Sequence, residues 1–152
     1  GLGEAAMLSA CLFGKKFSII SFTNAMSAWY EESVELLGLQ SRYAGFRAIN
    51  GVALSIDQIQ SLQKDALVAS AKKAINIDGG DIIIFAGAPL SGFKKIVQKE
   101  INAPIIDCAE AALKQAELAV VMNKGTSIKK KLPPKISVGL DNNLANYIAH
   151  KP

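Results

Sequence analysis

Histidine and cysteine, the side chains that most often carry metal and nucleophile chemistry, are nearly absent: one histidine and two cysteines in 152 residues. His150 stands beside Lys151-Pro152 at the chain end, where fraying and solvent exposure are expected. Cys11 and Cys108 are too few for a disulfide framework and too far apart for a recognisable metal-ligand spacing, so no metal is expected. Each lies among small apolar residues, as reduced, buried cysteines do, and Cys11 reads as core. There is no P-loop, and Gly1-Leu-Gly3 lacks the third glycine and the strand–helix setting of a dinucleotide fingerprint. No apolar run approaches the roughly 18 residues of a membrane span, and the start does not resemble a cleavable signal. A cytoplasmic protein without a membrane partner is the expectation.

What is present describes a packed domain. Half of the residues are hydrophobic and mean hydropathy is +0.24. That is enough for one sizeable core. The net charge of +4 comes from one segment, Lys124, Lys129, Lys130, Lys131 and Lys135. These lysines share a proline-containing stretch without aromatics, which reads as a solvated connector and not as a nucleic-acid footprint.

Strand and helix signals alternate four times. Phe17–Phe22 is an apolar, β-branched run, after which Thr23 or Asn24 can cap a helix that Gly38 ends near Leu37. Tyr43–Ile49 reads as a second strand, and Asp57 caps a long helix running to about Asp78-Gly-Gly80. Asp81-Ile-Ile-Ile-Phe-Ala86 is the clearest strand, a continuous apolar run between glycines, as in a parallel strand buried on both faces. A helix from about Ser91 to Lys99, a strand at Pro104–Asp107 and a helix from Cys108 to Val121 complete the series, and a last helix begins at Asp141. The expected fold is an α/β three-layer sandwich on a four-stranded, mostly parallel sheet. It spans residues 1–122, with 123–152 as a basic connector and closing helix. The apolar helical pattern Ala6, Met7, Ala10, Cys11, Phe13 comes with no strand before it, the expectation for a domain whose front is missing.

Ligands of open α/β sheets bind beyond the carboxyl ends of strands. Four stretches qualify: 21–24, 49–51, 86–90 and 107–109. Thr23 and Asn24 could orient a carboxylate or imide, or could simply cap a helix. Gly87 and Ala88 allow close backbone approach, as an anion nest or as a plain tight turn. Cys108, at a helix start, stands where a dipole would favour a thiolate, or is a small buried hydrophobe.

Taken together, Gly1-Leu-Gly-Glu-Ala-Ala-Met7, Lys16–Thr23, Gly38-Leu39 with Arg42, Asp78–Leu90, Ala103–Asp107 and Ala109–Glu117 resemble the aspartate/glutamate/hydantoin racemase superfamily, nearest its hydantoin and allantoin racemase branch. The resemblance implies one half of a two-domain fold, with most of the first domain absent and the tail returning toward it. It also implies cofactor-independent α-proton transfer on amino acids or hydantoin-like derivatives, by two cysteines on opposite faces of the stereocentre. One of them would lie in a Gly-Cys-Ala-Gly type turn. Here that turn reads Ala86-Gly87-Ala88-Pro89, with Gly87 at the cysteine position. The fragment is therefore expected to be catalytically silent, with Cys108 the topological alternative. Thr23, Asn24, Gly87, Ala88, Asp107 and Cys108 are the expected contacts of a small anionic or cyclic amide ligand. No cofactor is implied, and a half-fold exposing apolar surface is expected to form a homo-oligomer. The alternative is a non-catalytic small-anion-binding or oligomerising domain.

Overall fold

Apolar runs too short for a helix and without polar alternation belong inside a sheet covered on both faces. The computed structural model describes residues 1–49 and 58–124. In it the four strands are β1 (Phe17–Ser21), β2 (Tyr43–Ala48), β3 (Ile82–Phe85) and β4 (Ile105–Asp107). β1, β3 and β4 are buried along their whole length. β2, which carries Gly45 and Arg47, is half-buried and lies at the edge. The order is β2-β1-β3-β4 with every neighbouring pair parallel, so the expected sandwich is present and its described sheet is wholly parallel.

The helices are α1 (Leu2–Ala10), α2 (Ser27–Leu36), α3 (Ile59–Leu62), α4 (Lys64–Asn76), α5 (Phe93–Val97) and α6 (Cys108–Met122). From β1 the chain steps outward to β2, then passes back to β3 and β4 on the other side. Right-handed crossovers then require the connecting helices to change face when the direction reverses. The core is divided accordingly. Ala6, Met7, Phe17, Ile19, Val34, Ile84 and Cys108 form a cluster under α1, α2 and α6. Ile20, Leu67, Ala71, Ile83, Phe85 and Phe93 form the other, under α4 and α5. Phe85 and Phe93 meet edge to face at 4.9 Å, a favoured aromatic geometry.

Three boundaries depart from the sequence reading. α1 ends at Ala10, leaving Cys11 half-buried and Phe13 62% exposed, so neither is a fully buried core residue. Arg42 explains this: its guanidinium donates to the carbonyls of Lys15 at 2.6 Å, Cys11 at 3.1 Å and Gly14, which pulls residues 11–15 into a turn. Asp81 accepts the N–H groups of Lys15 and Lys16, both at 2.8 Å. Burial opposes its charge, but these backbone bonds outweigh it and hold the carboxyl below its ordinary range. The long second helix is broken at Gln63 into α3 and α4, and its proposed cap, Asp57, lies outside the described residues. The next helix starts only at Phe93, because Gly92 has φ +81°. Gly38, with φ +67°, follows α2 as read.

The chain divides into two compact units, Gly1–Val121 and Met122–Pro152. Lys129, Lys130, Lys131, Lys135, the helix read from Asp141 and His150 lie outside the described residues. Among the described residues no helix is long and apolar enough to cross a membrane.

Candidate functional site

Strand order reverses between β1 and β3, which makes their carboxyl ends the switch point of the sheet. Ile20 pairs with Phe85, and the Ala86 N–H donates to the Ile20 carbonyl at 2.8 Å. Two of the four stretches, 21–24 and 86–90, therefore leave the sheet side by side. Ile49 leaves on the other side of β1, its N–H on the Ser21 carbonyl at 3.1 Å, while Asn50 and Gly51 lie outside the described residues. Asp107 and Cys108 follow β4, one strand further along. A shallow, open depression at residues 98–104 precedes β4 and so belongs to the opposite end of the sheet.

Thr23 starts a single 3-10 turn, Asn24–Met26, and its Oγ1 accepts the Ala25 N–H at 3.2 Å. It caps, therefore, and remains half-buried beside the exposed Asn24. Ala88-Pro89-Leu90 forms a second such turn, with proline in the first turn, where no donor is lost. Gln60 on α3 holds this turn from outside, donating to the carbonyls of Pro89 at 2.8 Å and Ser91 at 2.9 Å.

Gly87 has φ +112° and ψ 138°, a conformation that residues with a Cβ rarely adopt. A Cβ placed there would stand 2.8 Å from Cε1 of Phe22. The phenyl ring thus occupies the space into which a side chain at position 87 would project. Phe22 was absent from the sequence-derived site because its apolar character assigned it to the preceding strand. Gln60 carried no sequence signal at all.

Asp107 is 7% exposed and both of its oxygens are engaged. Oδ1 accepts the N–H groups of Ala109 and Glu110, each at 3.0 Å, capping α6, and Oδ2 accepts the N–H of Gly92. Its geometry is that of a brace between α6 and the turn after β3.

Cys108 is buried, and its thiol donates to the Phe85 carbonyl at 3.3 Å. Burial first, and then the charge of Asp107, push the thiol up to about 12, against a smaller opposing effect of the Gly87 N–H. The expected stabilised thiolate is therefore not found, since desolvation outweighs the helix start. Cys108 also belongs to the core cluster under α1, α2 and α6, whereas Phe22 packs against the cluster on the other face. Tyr30 is close by, its hydroxyl pushed up by burial and then by Cys108. Among the described residues no group of three or more His, Cys, Asp or Glu is placed to hold a metal ion.

The sequence profile described as Asp/Glu/Hydantoin racemase matches residues 1–116. The hydantoin racemase of Paenarthrobacter aurescens is 28% identical over 127 residues, covering 84% of this chain and 54% of that protein. The hydantoin racemase of Pseudomonas sp. (strain NS671) is 26% identical over 137 residues, covering 89% and 55%. Among solved structures, the allantoin racemase from Klebsiella pneumoniae matches with a TM-score of 0.80 at 22% identity, over 95% of this chain and 60% of that one. The allantoin racemase from Pseudomonas fluorescens gives 0.73 at 23% identity, over 90% and 60%. These structural likenesses establish the fold, and the chain spans about half the length of the curated relatives it matches.

Proposed function

Because this chain belongs to the Asp/Glu/Hydantoin racemase family, we propose that the strand ends of its sheet hold an amino acid or a hydantoin-like cyclic derivative, a substrate for cofactor-independent α-proton transfer, and that these residues unaided hold it without inverting it. The observation that carries this reading is Gly87, whose hydrogen side chain has no proton to exchange and whose neighbouring space is filled by Phe22. Removing an α-proton near neutral pH needs a base whose pKa lies near the working pH. A thiol serves only as its thiolate. Cys108, pushed up to about 12 and bonded to the Phe85 carbonyl, is a poor substitute. Thr23, Asn24 and the backbone of Gly87 and Ala88 are suited to orienting a polar ligand edge, and Asp107 and Gln60 to keeping that backbone in place.

Isotope exchange tests the claim. Single enantiomers of a 5-substituted hydantoin, aspartate and glutamate are incubated with the chain in deuterated buffer and followed by proton NMR. Loss of the α-proton signal at the buffer rate is expected. Faster loss that disappears in Cys108→Ser would overturn the proposal.

A second reading, self-association, draws support from a separate observation. Leu118, Val120 and Val121 on α6 are 55%, 73% and 69% exposed, and Leu12, just beyond α1, is 82% exposed. Surface of this kind favours a partner. Light scattering after size exclusion is expected to give a mass above 16.1 kDa that falls on dilution, and a monomer at every concentration would count against it.

A further inference from the structure

α1 rests on little apolar surface. Its buried side chains are Ala5, Ala6, Met7 and Ala10, of which Met7 alone is large, while Leu2 and Leu8 stay 46% and 44% exposed. An element with so small an apolar footing belongs to the part of a fold that opens first. Its polar attachments are concentrated where it joins β1. Arg42, immediately before β2, donates to the carbonyls of Cys11, Gly14 and Lys15, and Asp81, immediately before β3, accepts the N–H groups of Lys15 and Lys16. β2 and β3 flank β1 in the sheet, so opposite charges grip the turn 11–16 from both sides. The grip is close: a Cβ at Gly14 would stand 2.7 Å from Oδ1 of Asp81. Further along, Gln115 of α6 donates to the Ala5 carbonyl at 2.9 Å and to Ser9 Oγ at 3.0 Å.

We propose that the turn 11–16 is a latch: Arg42 and Asp81 hold it shut, and on its release α1 lifts from the sheet as one piece and opens a path from solvent to Cys108. Cys108 lies in the core cluster that α1 covers, together with Ile84 and Ile106. All strands run parallel, Arg42 precedes β2 and Cys108 follows β4, so the two residues stand at opposite ends of the sheet. Only motion of α1 as a unit links them. In the closed form the thiol is inert, because burial pushes it up to about 12 and it donates to the Phe85 carbonyl, and the thiolate is the reactive species. Opening removes the burial, the largest of the causes that keep it protonated.

The test is alkylation by iodoacetamide at neutral pH, in which a thiolate displaces iodide to form a thioether and the thiol proton passes to buffer. Peptide mass spectrometry follows Cys11 and Cys108 separately. In Arg42→Gln, Cys108 is expected to react about ten-fold faster, with Cys11 rising alongside it, since three carbonyls lose a charged donor. Asp81→Asn keeps one acceptor oxygen and is expected to give about three-fold. Amide exchange of Leu67, Val68 and Ala71 in α4, on the other face of the sheet, is expected to stay within about two-fold of the parent, which marks the opening as local. Faster reaction of Cys11 with Cys108 unchanged would mean that the turn opens without α1 and would overturn the proposal. Unchanged reaction of both thiols in both variants would overturn the latch itself. Exchange in α4 that accelerates in step with Cys108 would replace the latch by a general loss of stability.

Discussion

Gly87→Cys, the substitution that would place a thiol after β3, is expected to destabilise the protein by about 4 kcal/mol. Two costs combine. The backbone at φ +112° and ψ 138° lies where a side chain is strained, at about 1–3 kcal/mol. The new Cβ would also meet Cε1 of Phe22 at 2.8 Å, and overpacking of this kind costs about 1–3 kcal/mol. Melting should fall by on the order of 10 °C. Gly87→Ala carries the same Cβ and should lose nearly as much, which assigns the effect to geometry and not to sulfur. Phe22→Ala removes the obstacle but not the backbone strain. The double variant Phe22→Ala with Gly87→Cys should therefore lose about 1–2 kcal/mol less than the sum of the singles. Strict additivity in urea denaturation would mean that Phe22 does not exclude a side chain at position 87.

Asp107→Ala is expected to cost about 2–3 kcal/mol, because it removes the cap of α6 and its link to the β3 turn in one step. The N–H groups of Ala109, Glu110 and Gly92 all lose their acceptor. Asp107→Asn keeps one carbonyl oxygen, which can still cap α6, but cannot serve both ends as the carboxylate does. Its loss should be about half as large. Amide exchange distinguishes the two contributions: Gly92 should exchange faster in both variants, and Glu110 mainly in Asp107→Ala. A ligand-contact role alone would leave both exchange rates and the melting temperature unchanged.

The strands were legible because a parallel strand covered on both faces demands an unbroken apolar run, and Phe17–Phe22, Asp81–Ala86 and Pro104–Asp107 meet that demand over a few residues of local sequence. The end of α2 was legible for a similar local reason, since Gly38 relieves the chain of a Cβ at positive φ. Sheet geometry then confined the chemistry to strand ends. Local pattern could not say which strand ends are neighbours, because strand order is decided by packing between segments remote in the chain. The same holds for side-chain occupations. Asp107 has the residue type of a ligand contact and the partners of a brace, and Cys108 has the position of a dipole-stabilised thiolate and the burial of a core residue. Gly87 was read, from the resemblance alone, as standing at a cysteine position, and its tertiary contact with Phe22 decided that the space beside it is closed. Helix, strand and turn follow from forces acting over a few neighbouring residues, whereas desolvation, hydrogen-bond partnership and steric exclusion exist only once distant residues share the same space.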